Sequence, residues 1–315
     1  MIVTVTLNPA LDKTLHVPNF AVGQHARARL VDLIPAGKGI NVGRGLSRLG
    51  SRSTACGLVG RGELEAYGRV LEQEGVDCAL TPIEGITRTN TTILDTECGT
   101  TTHLREEGFT VRDNDLCQLT DALRNRLESA DRPVRVVFAG SLPPGVGAED
   151  FVQLLKHCRA AGARVIVDTS GSALRQAVDS STVDTVKPNL TELGQCLGRE
   201  VGQEDCLGAA RELLGRVDTV LLTLGERGAW LAVEEAQIGA RCRLEPGEVE
   251  NTVGCGDAFL AGWLDAVDQG RSPREALRWA VCAGAASARG KTTVDYSRED
   301  VEELLGRCED LQPPK

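Results

Sequence analysis

A short glycine-rich turn that leads into an apolar stretch carries the clearest chemical signal in the sequence. It runs from Asn251 to Phe259 and contains Gly254, Gly256 and Asp257. The glycines let the chain turn tightly and let a ligand approach the main chain. The apolar residues that follow have helical spacing, so the free N–H groups and positive dipole end of this helix would face an anion. A carboxylate beside such an anion site can accept a proton from a substrate hydroxyl while the N–H groups hold a phosphoryl group in transfer. An aspartate in the first turn of a helix is also typical of a plain structural cap.

Two other glycine motifs do not fit this turn. The dinucleotide-binding pattern G-x-G-x-x-G/A needs a third small residue where this sequence has Phe259, and it belongs to the first strand–turn–helix unit of a chain. The phosphate-binding pattern G-x-x-x-x-G-K-[ST] does not occur in the sequence. The turn is therefore not explained by either common nucleotide-binding motif.

Lysine is scarce enough to draw attention where it occurs. Only six of the 35 basic residues are lysines. Lys38 lies between Gly37 and Gly39, and Lys187 precedes Pro188 and an asparagine. Both lysines are candidates for binding a phosphate group, since a lysine acts as a point charge for phosphate. A chance surface position is the alternative for each.

The cysteines predict packing more than chemistry. There are eleven, an odd number, and no two have C-x-x-C spacing, so neither a metal knuckle nor a redox dithiol is indicated. We expect the cysteines to act as small buried apolar residues in a cytoplasmic protein. Cys255 is the exception because it lies within the glycine turn. A thiol at a helix N-terminus tends towards the thiolate, so we expect alkylation of Cys255 to inactivate the protein and a ligand bound at the turn to protect it.

The elements that must position these residues alternate between strands and helices. Apolar runs predict buried strands at 134–139, 164–167, 183–186 and 217–224. Helical patterns lie between them at 148–161 and 204–214. Continuous apolar strands separated by helices predict a parallel sheet covered on both faces. The start of the chain, from Met1 to Leu7, also reads as a strand and not as a signal peptide. The fold class is therefore α/β.

Two polar stretches break this alternation. Leu15–Leu33 is mixed in character, and Thr87–Leu104 is rich in threonine and alternates in polarity. Such segments suit exposed antiparallel strands, with irregular loops as the alternative. We predict a small antiparallel sheet over one edge of a single domain that spans residues 1–315. Its two segments are expected at about residues 12–31 and 86–108.

Composition and charge exclude some classes of partner. The 35 basic and 45 acidic residues give a formal net charge of −10. Neither nucleic acid nor an anionic membrane is expected to bind such a surface, and the low aromatic content of 3% argues against stacking on single strands. No apolar run is long enough to span a bilayer. A small anionic ligand remains possible, because it needs only a local positive pocket.

Seven sequence blocks together resemble the ribokinase-like carbohydrate kinases, in particular their phosphofructokinase-B branch. The C-terminal block is the Asn251–Asp257 turn itself. The six other blocks follow the order of the family along the chain: Leu7–Asp12, Gly37–Val42, Thr87–Asn90, Gly140–Gly145, Val186–Glu192 and Thr223–Gly228. The resemblance implies a three-layer α/β/α fold with a mainly parallel central sheet and a small antiparallel β lid. Leu7–Asp12 and Gly37–Asn41 are most similar to the 1-phosphofructokinase and tagatose-6-phosphate kinase subgroup.

The resemblance also implies roles for particular residues. Asp257 would be the general base, and the N–H groups of Gly254, Cys255 and Gly256 would form the anion hole. The residues expected to bind the sugar phosphate are Asp12, Gly37, Lys38, Gly39, Asn41, Arg88 and Ser141. Those expected near ATP are Lys187, Asn189, Glu192, Thr223, Gly225 and Gly228. Glu192 would also help to place Mg²⁺, through water. The roles of His103 and Arg105 in the lid are left open.

The activity implied first is the phosphorylation of fructose 1-phosphate to fructose 1,6-bisphosphate by ATP. Tagatose 6-phosphate and fructose 6-phosphate are the alternative substrates, because one cationic pocket can hold a phosphate on either end of the sugar. A regulator that binds a sugar phosphate without catalysis is the alternative from another class. A homodimer that pairs through the lid is expected, since exposed sheet edges often pair.

Overall fold

The described part of the chain contains two β-sheets, ten α-helices and three short 3₁₀ helices. The computed structural model describes residues 1–130 and 133–312. The strands are β1 (Ile2–Thr6), β2 (Ala10–His16), β3 (Arg29–Ala36), β4 (Ser53–Gly60), β5 (Asp77–Ile83), β6 (Arg88–Asp95), β7 (Thr100–Arg105), β8 (Arg135–Ala139), β9 (Arg164–Asp168), β10 (Thr185–Val186), β11 (Thr219–Thr223), β12 (Ala229–Val233), β13 (Ala236–Cys242) and β14 (Cys308–Leu311). The helices are α1 (Lys38–Arg48), α2 (Leu64–Gln73), α3 (Asp113–Glu128), α4 (Ala148–Ala160), α5 (Gly171–Asp179), α6 (Leu190–Leu197), α7 (Cys206–Arg211), α8 (Cys255–Asp268), α9 (Pro273–Arg289) and α10 (Arg298–Leu304).

The larger sheet has ten strands and is mainly parallel, as predicted. Its order is β14-β13-β12-β11-β10-β9-β8-β1-β4-β5. All pairings from β11 to β5 are parallel, and β11 to β14 pair in antiparallel fashion at the other edge. The central strands are buried on both faces, as in β1, where all five residues are buried. The carboxyl ends of the parallel strands therefore lie along one edge, where ligands bind in open α/β sheets.

Helices cover both faces of this sheet and give the three-layer architecture. In β1, Val3 and Val5 point into the core formed with α3 to α7, whereas Ile2 points into the core formed with α1 and α8 to α10. The helix predicted at 148–161 is α4. The one predicted at 204–214 is shorter, since α7 covers Cys206–Arg211. No helix among the described residues is long and apolar enough to cross a bilayer.

The second sheet is the predicted lid, with strand order β3-β2-β6-β7. The outer pairs β2–β3 and β6–β7 are antiparallel, and the central pair β2–β6 is parallel. The chain connectivity explains this central pair. Strands β2 and β6 follow directly after β1 and β5, which run in the same direction in the main sheet, so both enter the lid in parallel. The first lid segment also extends further than predicted, because β3 continues to Ala36.

Candidate active site

The glycine turn forms the N-terminus of α8. Gly254 has a φ of 84°, and a Cβ there would lie 2.6 Å from Cγ2 of Thr293, so both conformation and space require glycine. The Gly254 carbonyl accepts hydrogen bonds from the amides of Asp257 and Ala258, at 3.0 and 2.9 Å. The amides of Cys255 and Gly256 precede these first helical bonds. They are therefore oriented to bind an anion at the end of the helix.

Asp257 lies buried beside this turn, with 5% of its surface exposed. Nδ2 of Asn41 donates a hydrogen bond to its Oδ2 at 2.9 Å. Burial raises the pKa of Asp257 to about 6, and the carboxylate of Asp168 adds to the rise. Lys38, Asn41 and Lys187 oppose the shift without cancelling it. The result is a carboxylate that is mostly ionised at neutral pH and still basic enough to accept a proton.

Asp168 joins two lysines at the carboxyl end of β9. Its Oδ1 lies 3.2 Å from Nζ of Lys38, and its Oδ2 lies 3.3 Å from Nζ of Lys187. The side chains of Asp168 and Lys187 are almost fully buried, whereas that of Lys38 is 42% exposed. Burial alone would lower the pKa of Lys38, but Asp168, Asp257 and Glu192 together raise it, so its ammonium group stays charged. Two ammonium groups are thus held next to the carboxylate of Asp257.

The first turn of α1 is fixed by close packing on β1. A Cβ on Gly37 would lie 2.7 Å from Cγ2 of Thr6, and one on Gly39 would lie 2.6 Å from Oγ1 of the same residue. That hydroxyl in turn accepts a hydrogen bond from the amide of Ile40 at 3.0 Å. The glycines therefore allow α1 to begin against the strand, which places Lys38 and Asn41 at the site.

Lys187 and the N-terminus of α8 are neighbours even though they are distant in sequence. A Cβ on Gly256 would lie 3.5 Å from Nζ of Lys187. The amide of Lys187 donates to the carbonyl of Val167 at 3.1 Å, which fixes the lysine at the carboxyl end of β10, the neighbour of β9. A cation and a row of free amides thus converge on one spot, and both favour a phosphoryl group there.

Arg88 connects the base of the lid to the turn between β1 and β2. Its guanidinium donates to the main-chain oxygens of Asn8 and Pro9, at 3.1 and 3.3 Å. Asn8 also donates from Nδ2 to Oγ of Ser141 at 3.2 Å. Burial lowers the pKa of Arg88, and the nearby charge of Arg105 adds to this shift. Arg88 and Ser141, predicted to hold the sugar phosphate, are therefore connected through Asn8.

One row of polar side chains crosses the lid from β2 to β7. Asp12 pairs with Asn90 and Asn90 with Arg105 in the strand register, and Nδ2 of Asn90 donates to Oδ1 of Asp12 at 3.0 Å. Burial raises the pKa of Asp12, although Asn90 and the arginines oppose the rise. Oδ1 of Asn90 is buried and has no hydrogen-bond partner among the described residues. This unsatisfied acceptor, in register with Asp12, suits the binding of a hydroxyl group.

The residues predicted near the nucleotide form two adjoining turns. Asn189 caps α6, where its Oδ1 accepts from the amide of Glu192 and Oε2 of Glu192 accepts from the amide of Asn189, both at 2.9 Å. The amide of Thr223 donates to the carbonyl of Pro188 at 3.0 Å, so the two turns are adjacent. Gly225 and Gly228 close the hairpin from β11 to β12.

Two residues next to the predicted site were not selected from the sequence. Asp168 ends a predicted strand, but nothing in the local sequence indicates that it pairs with Lys38 and Lys187. Asn8 lies inside one of the seven family blocks, which was the only available signal. Both are recognised by their contacts: the ion pairs of Asp168 and the bonds of Asn8 with Arg88 and Ser141.

Burial argues against the reactive thiolate predicted at Cys255. Burial raises the pKa of Cys255 above its ordinary value, and the charge of Asp257 adds to the rise, so the thiol stays neutral at pH 7. Its Sγ donates to the carbonyl of Asn251 at 3.6 Å. Desolvation therefore opposes the effect expected of the helix N-terminus. All eleven cysteines are free thiols, seven of them buried, while Cys78, Cys98 and Cys117 are exposed.

The described residues contain no group of three or more His, Cys, Asp or Glu side chains that could hold a metal ion. A Mg²⁺ ion does not require such a group, because it usually keeps several waters and binds one or two carboxylates together with substrate phosphates. Glu192 fits that pattern, since only its Oε2 is engaged by a hydrogen bond within the described structure. Asp168 does not fit it, because both of its oxygens face lysines.

Comparison with known proteins identifies a family over nearly the full length. The model of the pfkB family carbohydrate kinases matches residues 6–299. The chain is 32% identical to the 1-phosphofructokinase of Bacillus subtilis, over 97% of both chains. It is 34% identical to the ATP-dependent 6-phosphofructokinase isozyme 2 of Mycobacterium tuberculosis, over 96% of this chain and 88% of that one.

Solved structures agree with this assignment. Phosphofructokinase-2 from Escherichia coli in complex with potassium superposes with a TM-score of 0.89 and 30% identity, over 97% of this chain and 98% of that one. The tetrameric inhibited form of the same protein gives a TM-score of 0.87.

Proposed function

Because the chain belongs to the pfkB family of carbohydrate kinases, and is thus a phosphotransferase that acts on an alcohol group, we propose that it uses ATP to convert fructose 1-phosphate into fructose 1,6-bisphosphate. The observation that carries this proposal is the site at the N-terminus of α8. There, buried Asp257 lies next to free helix amides and two lysines. The relative named 1-phosphofructokinase supports the choice of substrate.

Asp257 is the general base of the proposed reaction. Its carboxylate accepts the proton of the acceptor hydroxyl as the hydroxyl oxygen forms a bond to the γ-phosphorus and the bond to the β,γ-bridging oxygen breaks. A pKa of about 6 matches this task, since the group is mostly ionised at pH 7 and retains basicity. Asn41 fixes the orientation of the carboxylate through its hydrogen bond.

The charge of the transferring group is held by fixed donors. The amides of Gly254, Cys255 and Gly256 form the anion hole, and Lys187 adds a cation at the same spot. Such donors stabilise charge that develops in the transition state, and they need no reorganisation because the fold has already positioned them. Asp168 acts as a positioning residue that holds Lys187 and Lys38 towards the site.

The sugar phosphate binds between the lid and the main sheet. Arg88, Lys38 and Ser141 hold its phosphate, and the arginine retains donors beyond the two that bind the main chain. Asp12 binds sugar hydroxyls from the lid side. Gly37, Gly39 and Asn41 contact the ring from the first turn of α1.

The nucleotide binds along the turns at the carboxyl ends of β10 and β11. Thr223, Gly225 and Gly228 line it, and Lys187, Asn189 and Glu192 lie near the triphosphate. Mg²⁺, when bound, neutralises charge on the phosphates, and Glu192 would hold it through water. Oε1 of Glu192 is available for that contact, whereas the side-chain oxygen of Asn189 is already committed to the helix cap.

Fructose 6-phosphate is the second candidate substrate because the relative from Mycobacterium tuberculosis is named a 6-phosphofructokinase. The test is a coupled assay of ADP release by the purified protein with fructose 1-phosphate, fructose 6-phosphate and tagatose 6-phosphate. We expect the highest kcat/KM with fructose 1-phosphate. A higher kcat/KM with either of the other two would make that sugar phosphate the substrate in place of fructose 1-phosphate. Tight binding of one phosphosugar without any ADP release would instead support a non-catalytic regulator.

The proposed homodimer pairs through the lid. Strand β3 is an edge strand, and its side chains Leu30, Val31 and Leu33 are each about half exposed. An apolar edge of this kind favours pairing with a second copy. Leu33→Asp should shift the protein to monomers in sedimentation, while Val22→Asp, in the exposed loop before β3, should leave the dimer intact. A natural chain that sediments as a monomer would refute the pairing.

A further inference from the structure

A cavity of about 320 Å³ lies between α3 and the edge of the main sheet, away from the proposed active site. Its sheet side is formed by Cys56 in β4 and Ala79 in β5, both in the first halves of their strands. It is therefore near the amino ends of the parallel strands, whereas the kinase site uses the carboxyl ends. Its volume is within the range of small-molecule sites.

Arg126, in the last turn of α3, supplies the charged group of this cavity. Its Nη2 donates to Oγ1 of Thr54 at 3.0 Å, which anchors the guanidinium to β4. Its Nε is buried and has no hydrogen-bond partner, and no carboxylate of the described chain lies within ion-pair distance of it. By contrast, Arg44 donates two hydrogen bonds to the carboxylate of Glu74. An arginine that lines a cavity and has no carboxylate partner in the described chain indicates a place for an anion.

The remaining walls are mostly apolar. Ala79 and Ala122 supply accessible apolar surface, Leu119 and Leu123 of the main hydrophobic core lie beneath them, and Asn125 adds an amide at the rim. The described lining contains no Asp or Glu side chain. The thiol of Cys56 adds no negative charge either, since burial raises its pKa to about 11. An anion with an apolar body suits these walls better than inorganic phosphate, which is polar on all sides.

We propose that this cavity binds a small organic monocarboxylate with a short apolar chain. The carboxylate accepts hydrogen bonds from the guanidinium of Arg126, and the apolar chain lies on Ala79 and Ala122, above the two leucines. The planar guanidinium fork matches a carboxylate in geometry. The proposal does not depend on the kinase reaction, because no residue of the cavity belongs to the proposed active site.

The position of the cavity suggests what its ligand does. Strand β5 continues into lid strand β6, and lid strand β7 leads into α3, so the two walls are the two elements that flank the second lid segment. Gly108, between β7 and α3, packs against Arg88 at the base of the lid. A Cβ on Gly108 would lie 3.0 Å from Cβ of the arginine. A ligand that holds α3 on β5 therefore stiffens the base of the lid.

Calorimetric titration with butyrate, hexanoate and benzoate tests the site. We expect at least one of them to bind saturably with a dissociation constant below about 1 mM. The matching neutral amide should bind about tenfold or more weakly, since charge-assisted hydrogen bonds are roughly twice as strong as neutral ones. Absence of saturable binding by all three acids, or equal binding of acid and amide, would overturn the proposal.

Two variants on the same helix separate the site from a general charge effect. Arg126→Gln should weaken binding of the carboxylate about tenfold or more, whereas Arg124→Gln should not, because Arg124 is exposed, pairs with Asp121 and does not line the cavity. Thermal melts establish that both variants fold, and Arg126→Lys provides a second, charge-conserving test that should bind less tightly than the natural chain. Undiminished binding by a folded Arg126→Gln variant would refute the assignment.

Hydrogen exchange tests the effect on the lid. The exchange of backbone amides in β6 and β7 should slow when the carboxylate is bound, and unchanged exchange at saturation would overturn the role in the lid.

Discussion

Replacing Asp257 by asparagine should inactivate the enzyme and at the same time stabilise the fold. The carboxyl group has an ordinary pKa of 3.8 and a pKa of about 6 in the folded chain. Between these two pH values the folded state binds more protons than the unfolded state, so stability falls as the pH rises. The rise of the pKa from 3.8 to about 6 corresponds to about 3 kcal/mol of folding stability, which is present at low pH and fully lost by pH 7.

Asparagine has the same shape as aspartate and carries no charge. Its Oδ1 can still accept the hydrogen bond from Nδ2 of Asn41. The Asp257→Asn variant should therefore be about 1–3 kcal/mol more stable than the natural chain at pH 7, with an advantage that fades towards pH 4. Its kcat should fall about 10²- to 10⁴-fold, because the general base is gone while the binding groups remain.

Asp265 provides the matched control because it is a buried aspartate on the same helix. It accepts hydrogen bonds from Ser51, Gln269 and Trp279, at 2.7, 2.7 and 2.9 Å. Asparagine has one acceptor oxygen and would leave a buried donor unpaired, which costs about 1–3 kcal/mol. Asp265→Asn should thus destabilise the fold and leave kcat close to that of the natural chain.

The assay is denaturant unfolding of all three proteins at pH 7 and at pH 4.5, together with steady-state turnover at pH 7. The two variants should move the unfolding midpoint in opposite directions at pH 7. If Asp257→Asn is no more stable than the natural chain at pH 7, the burial argument for its pKa is refuted. If it keeps turnover within about tenfold of the natural chain, the general-base role is refuted.

Four further outcomes follow from the site. The kcat/KM should rise with pH through about 6, as the Asp257 carboxylate loses its proton, and a flat profile from pH 5 to 7 would contradict this role. Asp168→Asn should raise the KM for both ATP and the phosphosugar about tenfold, since Lys38 and Lys187 both lose their carboxylate partner; unchanged KM values in steady-state kinetics would show that the ion pairs have no positioning role. Arg88→Lys should raise the KM for the phosphosugar about tenfold or more and the KM for ATP little, because a lysine cannot replace the guanidinium fork; equal effects on both substrates would contradict a contact with the sugar phosphate. Iodoacetamide should modify exposed Cys78 before Cys255, as mass spectrometry of partial reactions would show, and rapid inactivation that Cys255→Ala abolishes would show that the thiol is reactive after all.

The sequence was sufficient to predict the layers of the fold and the lid. Runs of β-branched and apolar residues such as β1 and β8 form strands that are buried on both faces, and that pattern is directly visible in the chain. The parallel pairing of β2 with β6 was not visible, because it follows from the direction in which β1 and β5 leave the main sheet. Pairing between strands this distant in sequence depends on the topology and not on local propensity.

Within the site, the sequence could name groups but not their mutual contacts. Asp257 and Lys187 stand out through their neighbours in sequence. Asp168 does not stand out, since an aspartate at the end of a buried strand is common at a turn. Cys255 is the opposite case, because it stands out in the sequence for a property that the fold opposes. Its place at a helix N-terminus predicted a thiolate, whereas burial, which depends on the tertiary fold, raises its pKa. Desolvation is the quantity that local sequence cannot supply.

The same balance of burial and charge explains how a chain of net charge −10 can bind two anionic ligands. The ammonium groups of Lys38 and Lys187 are opposed by Asp168 and Asp257, so this part of the site has no net formal charge before ligands arrive. Carboxylate partners allow lysines to stay charged in a buried place, and Lys187 is 4% exposed. ATP and a phosphosugar then bring several negative charges, which two already paired lysines cannot neutralise. On the proposed mechanism, the affinity for ATP when the phosphosugar is already bound should therefore depend on Mg²⁺ more strongly than the affinity for the phosphosugar alone. The metal supplies the missing positive charge.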